Sequence, residues 1–259
     1  MGYHLEVGAR TVEDVLAAER GGADRVELYA SPLEGALTPS AGLIKSAAEA
    51  ARITLFVMIR PRAGDFLYTA REFETIQRDV DIALEMGADG IMCGILKPDG
   101  ELDTARMKPL IAQCGDTPFA LHRAFDFSRD PLETLELAID LGCESVLTMG
   151  QEGEALFSRE LRQQILAAAG DRIKVVIALG ADFDTATELR DVMRETGARE
   201  YHIVNGYRKR PSGMRWTLNA ETHSDFLRET MFSMDYLCEH AVREIRDIFD
   251  QQESGGLPC

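Results

Sequence analysis

The chain has 259 residues, 45% of them hydrophobic and 28% charged, with a net charge of −16 at pH 7. That composition excludes a disordered chain, a collagen-like fibre and a small disulfide scaffold. So acidic a body repels phosphate backbones, and no nucleic-acid partner is expected.

Short β-rich runs alternate with longer stretches of helical period from one end to the other. The strands are predicted at His4–Val7, Arg25–Tyr29, Thr54–Ile59, Gly90–Cys93, Phe119–His122, Ser145–Thr148, Lys174–Ala178 and Glu200–Val204. Helices are predicted near 11–20, 40–51, 69–86, 103–113, 130–141, 158–168, 182–196 and 234–250. Eight strands, each followed by a helix, point to an α/β protein built as a single closed parallel (β/α)8 barrel, with an open doubly wound sheet as the alternative. Four helix-to-strand joints repeat one short pattern: Gly22-Ala23-Asp24, Gly87-Ala88-Asp89, Gly142-Cys143-Glu144 and Gly197-Ala198-Arg199. Glycine there can end a helix in the left-handed conformation and feed the next strand at once. No linker divides the chain, so one domain over 1–250 is expected, with 251–259 as a flexible tail.

Five cysteines stand singly, without a Cys-x-x-Cys pair, and read as reduced thiols. No basic-then-apolar leader opens the chain, and no apolar run approaches the ~20 residues of a membrane span. A cytoplasmic protein with no membrane partner is the expectation.

In a barrel, ligands bind where the strands' C-terminal ends meet the longer loops. Those ends are polar here: Glu6, Glu27, Arg60, His122-Arg123, Thr148, His202 and Asn205. Arg60-Pro61-Arg62-Ala63-Gly64-Asp65-Phe66 brings two guanidiniums to that face, and arginine suits bidentate recognition of carboxylate or phosphate. Arg208, Lys209, Arg210 and Arg215 crowd the loop after the eighth strand. The residues therefore predict a pocket for a small anionic ligand, with Arg60, Arg62, Asp65 and Arg123 as substrate-binding groups. Glu27, His122, Asp126 and Glu6 are the catalytic candidates, Glu27 and His122 as acid and base with Glu6 and Asp126 orienting them. The competing reading is a structural network in which the same arginines pair with the same carboxylates. No metal-ligand spacing occurs, and the soft donors Met58, Met92, Cys93 and Met149 lie in apolar strands or beside them.

A family resemblance adds to this. Glu27-Leu28, Leu33-Glu34-Gly35-Ala36-Leu37-Thr38-Pro39-Ser40 and Phe56 through Phe66 are similar to motifs of the CutC copper-homeostasis family. Gly94 through Asp103 and His122-Arg123-Ala124-Phe125-Asp126 continue the likeness in the same order, over about residues 4 to 205. The resemblance implies a TIM barrel in the cytoplasm that forms homo-oligomers, with copper as its ion. It also implies a copper-ligating cysteine directly after Glu27-Leu28, where this chain has Tyr29, and a glycine-rich turn where it has Leu179-Gly180-Ala181-Asp182. What the residues retain is an acid–base and anion-recognition set. An isomerase or lyase moving a proton beside a carboxylate or phosphate, and a binding protein without turnover, are both open.

Overall fold

The computed structural model describes residues 2–151, 159–179, 185–204, 206–213, 224 and 232–255. Eight parallel strands close into a barrel in sequence order: β1 (His4–Ala9), β2 (Arg25–Leu28), β3 (Thr54–Met58), β4 (Gly90–Cys93), β5 (Phe119–Leu121), β6 (Ser145–Thr148), β7 (Lys174–Leu179) and β8 (Glu200–Ile203). Around them lie α1 (Val12–Gly21), α2 (Ala41–Ala50), α3 (Ala70–Glu85), α4 (Thr104–Gln113), α5 (Pro131–Asp140), α6 (Arg159–Ala169) and α7 (Thr185–Thr196). The expected (β/α)8 barrel is therefore the fold, and closure through β1–β8 pairing removes the open-sheet alternative.

The local signals behave as their chemistry requires. Gly22, Gly87, Gly142 and Gly197 carry φ of 89°, 101°, 81° and 66°, so each joint does turn through the left-handed region. Thr69 and Glu72 form a reciprocal capping box at the start of α3, and Asp130 caps α5 just before Pro131.

One element differs from expectation. Residues Ser233–Leu237 form a strand, β10, antiparallel to β9 (Tyr207–Pro211), and the last helix, α8 (Glu239–Glu253), starts only after it. The run Ser233-Met234-Asp235-Tyr236-Leu237 is too short for its own periodicity to separate strand from helix. Its strand state comes from a partner more than twenty residues earlier. The helix also continues through Gln251–Glu253, into the expected tail, where the Glu253 carboxylate accepts from the Tyr3 amide.

Strand alternation sorts the interior into two layers. Leu5, Val7, Val26, Leu28, Ile91, Cys93, Tyr201 and Ile203 face outward into the packing between barrel and helices. Phe56, Met92, Ala120, Leu147, Val176 and Ala178 fill the barrel on the β3–β7 side. The inward positions of β8, β1 and β2 are instead His202, Glu6, Arg25 and Glu27, all buried. The barrel thus has an apolar half and an ionised half, and Arg25 marks the seam with its guanidinium 4.3 Å above the Phe56 ring.

Candidate functional site

The ionised half is a chain of opposite charges that climbs the barrel. Register sets Glu6 opposite Arg25 on one side and His202 on the other. Glu144, just before β6, holds Arg25 Nη1 at 3.3 Å, and Arg25 Nε donates to Glu6 Oε2. Glu6 Oε1 then meets His202 Nδ1 at 2.7 Å, and His202 Nε2 lies 3.3 Å from Glu27 Oε2. Burial alone would favour the uncharged form of Glu6, but Arg25 and His202 outweigh it and hold its carboxyl down at about 2. Burial likewise opposes charge on His202, and the Glu6 hydrogen bond and both carboxylates outweigh it, raising its pKa. Glu27 goes the other way. Burial dominates there, Glu6 adds repulsion, and its pKa rises to about 7 despite His202, Arg123 and Arg25. Glu27 Oε1 is buried and has no hydrogen-bond partner among the described residues.

These opposite shifts set a pH dependence. Glu6 contributes stability that is complete above its ordinary 4.5 and is lost as pH falls toward about 2. Ionising Glu27 is penalised in the fold, so stability falls as pH rises from 4.5 to about 7. The contribution of His202 is complete below its ordinary 6.5 and is lost as pH rises through its higher folded value. Stability from this cluster is therefore greatest near pH ~5 and declines toward pH ~8. Thermal unfolding across that range should show a shallower decline for Glu27→Gln than for the unaltered chain.

The mouth adds two groups. His122 follows β5 directly, and its Nδ1 accepts from the Ala124 amide at 3.1 Å, which leaves the ring proton on Nε2. Burial first, and then the positive charges of Arg60 and Arg123, push its pKa down to about 3, so the ring is neutral at physiological pH. The imidazole packs 5.0 Å from the Phe66 ring and lies over Gly94, where a Cβ would come within 2.9 Å of His122 Cε1. His122 Nε2 is buried without a partner among the described residues. Arg123 is exposed at the start of a short 3-10 turn and makes no hydrogen bond or ion pair among the described residues. Its charge nonetheless acts on both Glu27 and His122. Glu27 on β2 and His122-Arg123 directly after β5 thus lie toward the strands' C-terminal ends, where barrels bind ligands.

Other predicted site residues are engaged elsewhere. Arg60 Nη1 donates to the carbonyls of Glu34, Gly35 and Ala36 at 2.9, 2.8 and 3.2 Å, and Nη2 donates to Gly64 at 2.6 Å. Rather than clamping an anion, it ties the loop before α2 to the loop before α3. Arg60→Lys keeps the charge but not the fork, and should cost about 1–3 kcal/mol; faster proteolysis between residues 31 and 40 would register it. Arg62 is held by Glu72 at 2.6 Å and Asp65 at 3.0 Å, so this pair braces the start of α3. Asp126 accepts from Thr148 Oγ1 at 2.6 Å and the Met149 amide at 2.9 Å, holding the turn after β6 rather than orienting His122. Glu6 does orient a histidine, but it is His202. Arg208, Lys209 and Arg210 project from β9, while Arg215 and Asn205 lie outside the described residues.

The donors for a metal are equally informative. Glu6, Glu27 and His202 form the one cluster of His, Cys, Asp or Glu among the described residues with metal-holding proximity. It contains no sulfur, and Arg25 and His202 already hold its Glu6 carboxylate. Cys93 faces the helices, with burial pushing its thiol up to about 12, whereas neighbouring Met92 faces the barrel interior. Adjacent strand residues on opposite faces cannot ligate one ion, so Cys93 and Met92 cannot together hold monovalent copper.

Comparison with known proteins places these residues in a family. The CutC family model matches residues 3–207, a span holding the entire charge chain and the mouth. A mouse protein named copper homeostasis protein cutC homolog is 37% identical over 247 residues, covering 95% of this chain and 89% of that protein. The human homologue of the same name is 40% identical over 215 residues, covering 83% and 77%. The solved structure of CutC from Streptococcus agalactiae superposes with a TM-score of 0.73 at 27% identity, covering 78% of this chain and 99% of that one. The chain belongs to the CutC family.

Proposed function

We propose that this chain binds a small anionic metabolite at the barrel mouth and moves a proton on it. Glu27 is the base, neutral His122 donates a hydrogen bond through Nε2, and Arg123 supplies the counter-charge. The observation that carries this reading is the free, buried Oε1 of Glu27. The other oxygen of that carboxylate is held by a histidine, which is itself fixed by Glu6 and Arg25. A carboxyl with a pKa near neutrality, at the same end of the barrel as a hydrogen-bond donor and a guanidinium that makes no ion pair among the described residues, suits proton abstraction beside a carboxylate or phosphate. His122 stays neutral through the cycle, because a ring with so low a pKa cannot carry the proton at pH ~7. Any part in copper homeostasis, the role in the relatives' names, would then run through the metabolite and not through a thiolate-bound ion.

Two measurements test this. Saturating 2-phosphoglycolate or malonate, at about 100 times Kd, should stabilise the fold by about 2.7 kcal/mol, or roughly 5–10 °C in Tm. Arg123→Ala should lose most of that shift. No stabilisation by either anion, or full stabilisation of Arg123→Ala, would refute the assignment. In a competition titration, uptake of monovalent copper should be weak and unchanged by Cys93→Ser.

A further inference from the structure

Tyr29 comes directly after β2, two residues beyond Glu27, so both side chains leave the chain on its inward face. Its amide donates to the Ala9 carbonyl at 3.0 Å, carrying the pairing with β1 one residue past the strand. The ring lies sideways across β1. A Cβ at Gly8 would come within 2.8 Å of Tyr29 Cε1, 3.3 Å of its Oη and 3.3 Å of Val204 Cγ1. Gly8 and Val204 are the inward positions one step above Glu6 and His202. The phenol therefore roofs the ionised cluster, and glycine at position 8 gives it room.

Tyr29 is only 4% exposed, yet its hydroxyl makes no hydrogen bond among the described residues. Burial and the nearby Glu27 carboxylate keep the phenol protonated, so it stands as a neutral donor. A phenol donor with no protein acceptor is open to an acceptor that a ligand brings. β1, over which the hydroxyl lies, is four strands around the closed barrel from β5, after which Arg123 emerges. A molecule meeting both must carry acceptor oxygens at both ends.

We propose that Tyr29 is a substrate-binding and specificity-determining residue, donating a hydrogen bond to one end of a dicarboxylate or phosphorylated carboxylate whose other end meets Arg123. This rests on the proposed anion site. Isothermal titration with 2-phosphoglycolate, on the unaltered chain and on Tyr29→Phe and Arg123→Ala, separates the two claims. Tyr29→Phe should weaken binding roughly 10–100-fold while the ligand-free Tm moves by no more than ~2 °C, since its hydroxyl has no partner to lose. Unchanged affinity in Tyr29→Phe with loss in Arg123→Ala would overturn the role of Tyr29 and leave the anion site standing. A ligand-free Tm lowered by more than ~5 °C in Tyr29→Phe would mean a structural hydroxyl and overturn it too. Absence of binding to the unaltered chain would overturn both.

Discussion

Arg25→Met is expected to destabilise the fold by about 3–5 kcal/mol, because it leaves Glu6 charged, buried and short of its main partner. The guanidinium is 3% exposed and the carboxylate 0%, so neither charge can be re-solvated without opening the barrel. Solvent screening, which makes surface ion pairs worth little, does not operate there. Arg25 also joins Glu6 to Glu144, and His202 then faces a carboxylate whose position is no longer fixed. For a chain of this length that loss corresponds to a Tm lowered by roughly 6–20 °C. Removing the stranded charge as well, in Arg25→Met/Glu6→Leu, should recover part of it, since a buried ion pair is often no better than a well-packed apolar pair. Thermal unfolding of the single and double variants at pH 6 decides the matter; additive losses would mean that the two groups do not act together.

Glu27→Gln is expected to lower the rate of proton transfer by about 10²–10⁴-fold, the usual contribution of a positioned general base. Its stability should change in the opposite sense to that of Arg25→Met. Glutamine keeps the shape, still meets His202 and removes a carboxylate whose ionisation the fold penalises. At pH ~8 the variant should unfold no earlier than the unaltered chain. An inactive variant that has also lost stability would show only that the barrel had been damaged. An inactive variant of full stability assigns the chemistry to the carboxylate.

Much of the barrel was legible because each layer repeats a simple rule. Alternation marked eight strands, and glycine at four joints marked where helices hand over to strands. The hairpin of β9 and β10 was not legible, because its second strand owes its state to a distant partner and not to its own residues. At the site, Glu6, Glu27, His122 and Arg123 could be named from their places near strand ends. The pairing of Glu6 with His202 spans 196 residues and exists only because the last strand closes on the first. Barrel closure, once assumed, would have predicted it from the matching inward positions of β1 and β8. Arg60 misled for a different reason. Its partners are backbone carbonyls, and the direction of a carbonyl in a loop is not written in the residue types around it. Cys93 is a matter of parity alone, one residue away from the inward face.

Deuterium exchange at carbon tests the claimed chemistry most directly. Small sugar phosphates and hydroxy or keto acids, incubated with the protein in deuterium oxide, should lose the proton signal beside the carboxylate or carbonyl of at least one member. That loss should disappear with Glu27→Gln and persist with Cys93→Ser. Exchange that continues at full rate in Glu27→Gln, or that is absent from every compound carrying two anionic ends, would contradict proton transfer at this mouth.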